Sequence, residues 1–269
     1  AHPTFALSRS LREAFAAYVS SDDETSRDDL RAAANDPNRD WPNQITLLSE
    51  HEEAQLAIAN ARDAARSYAG RVLKVAQKAF PDQWRALRPV LPTIASWVGY
   101  DLDGRTDIHW SQSIALRLHE KEAQLGYYES RLTEVVAADK LSDLRAKLAS
   151  ARAHTAEAAK RFEGDLFDPE ILVDAANFLT AESADKLVSS AEITRALDAL
   201  IADAATPDAA AAELMVLRAE VEALHLGTAR IHLRVNAAQV RTVLSRDLNL
   251  ETEDNDLGRQ ALSQLSEMA

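Results

Sequence analysis

Apolar residues along this chain recur mostly at three- and four-residue spacing, the period of an amphipathic helix. Over residues 7–19 that spacing aligns Leu7, Leu11, Ala14, Phe15 and Tyr18, and a helix is predicted there. An acidic polar run (20–29) and a turn-rich patch (35–43) follow. A long helix is predicted over 45–79, with Leu48, Leu56, Val72, Leu73 and Val75 among its buried positions. Pro81 ends it, because proline cannot continue the hydrogen-bond ladder. Two more helices are predicted over 111–138 and 141–162. Asp168-Pro169 opens another, with Asp as the cap and Pro in the first turn. Residues 183–205 and 208–224 read as an antiparallel pair broken at Pro207, and a last helix is predicted over 257–268.

Three segments depart from this period: residues 1–4, 93–99 and 228–235. The second, Thr93-Ile94-Ala95-Ser96-Trp97-Val98-Gly99, is β-prone and runs into the turn Asp101-Leu102-Asp103-Gly104. Strands so far apart, with helices between them, pair in parallel through helical crossovers. Three strands alone cannot close a barrel. The expected class is therefore mainly α with a few parallel strands, and the chain reads as one region, 1–269.

Composition sharpens this. Seven Gly and eight Pro in 269 residues favour long helices over many turns. No cysteine is present, which excludes a disulfide framework, thiolate metal sites and a cysteine nucleophile. The net charge of −13 argues against nucleic acid and anionic membranes as partners. No apolar run reaches the roughly 20 residues that span a bilayer. The chain starts Ala-His-Pro-Thr, and these residues are expected to continue an upstream segment of a cytoplasmic protein.

Chemistry concentrates in the departing segments. On a strand over 228–235, Arg230, His232 and Arg234 share one face, and Ala229, Ile231, Leu233 and Val235 share the other. Two guanidinium groups and an imidazole on one face need an anion or water, and arginine's fork suits phosphate or carboxylate. An edge strand with a solvated basic face fits the pattern equally. His2, held extended by Pro3, is a candidate proton carrier or a solvated terminal side chain. Asp101-x-Asp103-Gly104 lacks the spacing of a calcium loop. His51-Glu52-Glu53 lacks the second histidine of a zinc helix. His109 and His119 stand ten residues apart in unrelated contexts, and there is no phosphate-binding glycine loop or nucleophile elbow.

Taken in order, the three segments resemble phosphoenolpyruvate carboxylase. Ala1-His2-Pro3-Thr4 is similar to that family's Thr-Ala-His-Pro-Thr strand end. Residues 96–105, Ser-Trp-Val-Gly-Tyr-Asp-Leu-Asp-Gly-Arg, resemble its Ser-Trp-(Ile/Met/Val)-Gly-Gly-Asp-Arg-Asp-Gly-Asn segment. Ile231-His232-Leu233-Arg234-Val235, after Leu226-Gly227, stands where the family has Leu-Asp-Ile-Arg-Gln after a Phe-Gly helix end. The chain differs at Phe5 for Glu, Ser8-Arg9 for paired arginines, Tyr100 for Gly, Leu102 for Arg, Arg105 for Asn, His232 for Asp and Val235 for Gln.

The resemblance implies the N-terminal segment of a larger enzyme built on an eight-stranded α/β (TIM-type) barrel with extensive helical wrapping. Such enzymes join phosphoenolpyruvate to bicarbonate, giving oxaloacetate and phosphate, with Mg²⁺ or Mn²⁺. It implies His2 as the catalytic histidine and Arg234, with Arg230 and Arg9, on the substrate side. The metal-binding carboxylates are expected in the rest of the parent chain, and homo-oligomers are the family's habit. The alternative is a homologue that kept the scaffold, lost the reaction and serves as a helical binding or regulatory protein.

Overall fold

The computed structural model describes residues 7–21, 23–36, 46–103, 108–135 and 141–235. Among them are eight α-helices and two short strands. The chain divides into two compact units, Ala1–Ala54 and Gln55–Ala269.

The first unit holds α1 (Arg9–Ser21), α2 (Glu24–Asn35) and the start of α3 (Leu47–Ala79). Helix α1 starts where Ser8 Oγ accepts a hydrogen bond from the Leu11 amide at 3.3 Å. It buries none of its residues, and Phe15 is 58% exposed, so the predicted apolar face is uncovered among the described residues. Helix α2 occupies the acidic run that periodicity left as polar chain. Its cause is local: the Asp23 carboxylate accepts from the Ser26 amide at 2.7 Å, satisfying a donor the helix itself cannot. Those bonds also hold the Asp23 carboxyl below its ordinary pKa. Arg12 of α1 is ion-paired with Glu53.

The second unit carries the remainder of α3, a 3₁₀ turn at Trp84–Ala86, and five further helices. These are α4 (Trp110–Val135), α5 (Ser142–Phe162), α6 (Pro169–Thr180), α7 (Ala191–Ala202) and α8 (Asp208–Leu224). Leu125, Tyr128 and Leu132 of α4 meet Leu148 of α5, Ile193 and Leu197 of α7, and Leu214 and Leu217 of α8 in the main core. A smaller core joins Leu118 of α4, Ala158 and Phe162 of α5, and Ala175 of α6. Helix α3 contributes Ala69 and Leu73, one turn apart, while Leu48, Val72 and Val75 are exposed. The buried stripe thus follows a four-residue step that the scattered apolar positions of α3 did not single out.

Asp168 caps α6 as expected, accepting from the Glu170 amide at 2.9 Å with Pro169 in the first turn. Residues 183–190 are not helical, so α7 is shorter than predicted and begins behind Ser189 and Ser190. Arg218 of α8 holds Asp198 of α7 at 2.6 Å.

Strands β1 (Ala95–Ser96) and β2 (Arg230–Ile231) pair in parallel, Ala95 opposite Arg230 and Ser96 opposite Ile231. The Arg230 and His232 amides donate to the Ile94 and Ser96 carbonyls, both at 2.8 Å. An isolated parallel bridge, Asp101 to Arg234, extends the pairing. Helices α4 to α8 form the crossover that parallel strands require. Gly99, at φ +89°, turns the chain out of β1. A Cβ there would lie 2.6 Å from Leu116 Cδ1, so only glycine fits. The described residues form a two-stranded sheet and no barrel. Residues 1–4 and 257–268, read as a strand and a helix, lie outside the described residues. Among those described, no helix is long and apolar enough to cross a membrane.

Candidate anion-binding site

Two places in the second unit gather the side chains singled out above, one beyond each end of β2. At the C-terminal end, Arg234 stands 3.8 Å from Asp101 Oδ2, with its guanidinium 5.7 Å from the centre of the Trp97 ring. It is half exposed, and such a loose ion pair in contact with solvent leaves the cation able to exchange partners.

At the N-terminal end lies a cavity of about 760 Å³, walled by α4, α5, α8, the start of α7 and Arg230. Its volume falls in the range that accepts a metabolite. Four basic side chains line it: Arg117 and Lys121 of α4, Lys186, and Arg230. His154 and His225 add two imidazoles. The single carboxylate in the wall, Glu222, is ion-paired with Arg218 at 2.8 Å. A chain of net charge −13 therefore concentrates positive charge at one concave place.

The wall's electrostatics are unfavourable to its own cations. Burial, then Arg117 and Lys186, pull the Lys121 ammonium down to about 8. Burial lowers Lys186. His154 is lowered by burial and then by Lys186, with Asp185 opposing. His225 is lowered by burial, then by Arg230 and Arg117. An anion placed among these groups would reverse each trend, since it favours their charged forms.

Local structure fixes the wall. Arg117 Nη1 donates to Glu120 Oε2 and to the Ala229 carbonyl, each at 3.1 Å, joining α4 to the start of β2. A Cβ on Gly227 would fall on that guanidinium, so the glycine is what lets Arg117 lie there. Arg230 Nε donates to the Ala223 carbonyl at 3.2 Å, and Lys186 Nζ to the Leu179 carbonyl at 2.6 Å. His225 ends α8 at φ +56°, a strained backbone for a non-glycine residue. Its carbonyl accepts from the Tyr128 hydroxyl at 2.7 Å, and its Nδ1 lies 3.0 Å from Ser190 Oγ at the start of α7.

Sequence reasoning expected Arg230, His232 and Arg234 to act together. Arg230 lines the cavity, Arg234 faces Asp101 and Trp97, and His232 is exposed. The amides of all three donate to the β1 side, at 2.8, 2.8 and 2.9 Å, so the alternation holds. The chain of β1 turns at Gly99, and Arg234 therefore meets Asp101 and Trp97 while Arg230 meets the cavity. On the other face Ala229 is buried and Ile231 half-buried, while Leu233 and Val235 are 49% and 46% exposed. Arg9 is exposed on α1, ion-paired with Glu13 at 2.9 Å. His2 lies outside the described residues. Arg117, Lys121, Lys186, His154 and His225 escaped the sequence reading. Arg117 and Lys121 stand at i, i+4 on α4, but Arg27 and Arg31, Arg62 and Arg66, and Lys74 and Lys78 share that repulsive spacing, so it did not single them out.

The Mg²⁺ or Mn²⁺ that the family resemblance implies finds no donor set here: among the described residues no three His, Asp or Glu side chains are grouped to hold a metal ion. In comparisons with known proteins, no family model, no curated protein and no solved structure matches this chain.

Proposed function

We propose that the chain is the N-terminal part of a phosphoenolpyruvate carboxylase-like cytoplasmic enzyme. One observation carries the reading. Two of the three resembling segments, with residues 106–225 between them, lie side by side as parallel strands, and their motif residues Asp101 and Arg234 bridge. Adjacent parallel strands with a helical crossover are the repeating unit of an α/β barrel, whose chemistry sits at the C-terminal ends of its strands. Arg234 and Trp97 stand at that end.

In this reading bicarbonate oxygen attacks the phosphorus of phosphoenolpyruvate, giving carboxyphosphate and an enolate. Carboxyphosphate breaks to CO₂ and phosphate, and the enolate carbon bonds to CO₂ to form oxaloacetate. Arg234 holds the phosphate, His2 carries the carboxyphosphate proton, and Arg9 supports the substrate side. The remaining strands, the metal ligands and a homo-oligomeric assembly belong to the rest of the parent chain. The rival reading is a homologue without the reaction. It draws on the departures at Phe5, in place of a glutamate, and at Leu102, in place of an arginine, and on Tyr100, which fills the family's glycine position and is only 2% exposed.

Calorimetry on the complete protein with phosphoenolpyruvate and Mn²⁺ separates the two. A forked, charge-assisted contact to phosphate is worth about 1.5–3 kcal/mol. Arg234→Gln is expected to weaken binding by roughly ten- to a hundredfold. Arg234→Lys should recover only part, because an ammonium cannot form the fork. Equal affinity of the parent and Arg234→Gln would remove Arg234 from the site. No binding by the parent at millimolar ligand would favour the non-catalytic homologue.

A further inference from the structure

The cavity at the N-terminal end of β2 has no part in that reaction, which uses the opposite end of the strands. We propose that it is a separate binding site for a small organic phosphate monoester. Lys121, Lys186 and Arg230 take the phosphate there, and the apolar body lies against Leu118, Leu179 and Leu226.

The donor inventory supports this. Arg230 has committed its Nε to the Ala223 carbonyl, so its two terminal nitrogens remain as a fork. Lys186 spends two of its three donors on the Leu179 and Ala181 carbonyls, leaving one. Lys121 is ion-paired to no carboxylate among the described residues; the charges that act on its pKa are Arg117 and Lys186, both cations. A half-buried ammonium in a cavity wall, with two cations as its charged neighbours, is poorly compensated by the protein itself. Ser190, the N-cap of the 12-residue helix α7, brings a hydroxyl to the wall where the backbone dipole also favours an anion, while the Thr194 hydroxyl donates back to the Ala191 carbonyl at 3.1 Å. Leu118, Leu179 and Leu226 complete an apolar side, so inorganic phosphate would use only part of the space.

The probe is phenyl phosphate, titrated calorimetrically into the complete protein, with inorganic phosphate as its truncated counterpart. Phenyl phosphate is expected to bind more tightly than inorganic phosphate. Lys121→Met keeps the apolar stem and removes the charge, and should weaken phenyl phosphate by roughly ten- to a hundredfold. The same variant is expected to raise the Tm of the ligand-free protein by about 2–4 °C, because it removes an ammonium disfavoured by burial and by like charge. A lysine with a purely structural role would lower the Tm instead.

The sign of the pH dependence follows. Lys121 has a folded pKa below its unfolded value, so its cost is full below about 8 and fades as the folded amine loses its proton. The Tm gain of Lys121→Met over the parent should therefore shrink above that pH. Arg117, Lys186, Arg230, His154, His225 and Glu222 also face this space, and all are common to both proteins. Thr194→Glu, on the partly exposed first turn of α7, seats a carboxylate in the wall and should abolish binding without touching the core. In an Arg234→Gln background, where the proposed active site has lost its phosphate contact, phenyl phosphate should still bind, which separates the cavity from that site. Absence of binding by the parent at millimolar phenyl phosphate overturns the proposal. So does undiminished binding in whichever of Lys121→Met and Thr194→Glu keeps the parent's circular dichroism.

Discussion

Glu120→Ala is expected to lower the unfolding free energy by about 3–5 kcal/mol in urea denaturation, the usual cost of breaking a buried ion pair from one side. The Glu120 and Arg117 side chains are 2% and 8% exposed and lie 3.1 Å apart. Gln55 Nε2 also donates to Glu120, at 3.3 Å. Truncation leaves a buried guanidinium beside Lys121 with its carboxylate gone. Glu120→Gln, which keeps an acceptor oxygen, should cost less. Gly227→Ala attacks the same contact from the other side, because its methyl takes the space of the Arg117 guanidinium. The two changes damage one interaction, so the double variant should cost less than the sum of the two single costs. A Glu120→Ala cost below about 1 kcal/mol would show that the pair contributes little to stability.

On the proposed carboxylase reading, His2→Asn in the complete protein is expected to reduce carboxylation by roughly 10²–10⁴-fold, the range of general acid–base catalysis, with the fold intact. The amide fills much of the imidazole's space but cannot exchange a proton near neutral pH. Circular dichroism and Tm should match the parent while oxaloacetate formation falls. Activity within a few-fold of the parent would return His2 to the role of a solvated terminal side chain. The Arg234 variants act on affinity and His2→Asn on turnover, so the pair tests binding and chemistry separately.

Helices long enough to show several periods were legible. The centres of α3, α4, α5, α6 and α8 lie where spacing and caps put them, and the Asp168-Pro169 start is met residue for residue. Helix α2 was missed because hydrophobic period cannot see a short polar helix. Its evidence was the Asp23 cap three residues before Ser26. The parallel relation of 93–99 to 228–235 was legible from composition and separation, since chain connectivity alone dictates it. The site was less so. Strand alternation grouped Arg230 with Arg234, and their amides do point the same way, yet the two lie at opposite ends of the pair and meet different neighbours, the cavity for Arg230 and Asp101 with Trp97 for Arg234. Lys121, Lys186, His154 and His225 come from four places in the chain, and only tertiary packing brings them to one wall. Their meeting leaves no mark in sequence spacing.

The strand pair carries a consequence for how the protein assembles. Joining β1 to β2 closes a loop of more than a hundred residues, an entropic cost of about 4 kcal/mol on chain-length scaling alone. Four backbone hydrogen bonds span the pair: Arg230 to Ile94, His232 to Ser96, Arg234 to Tyr100 and Leu102 to Arg234. At about 0.5–1.5 kcal/mol net each, they only match that cost. Packing of α4, α5, α7 and α8 must therefore bring the strands together before they can pair, which makes the sheet a late event in folding. The cavity wall needs Arg117, Arg230 and the start of α7 in place at once. An anion-dependent signal in a refolding experiment would then report completed assembly, rising after the helical signal and never before it.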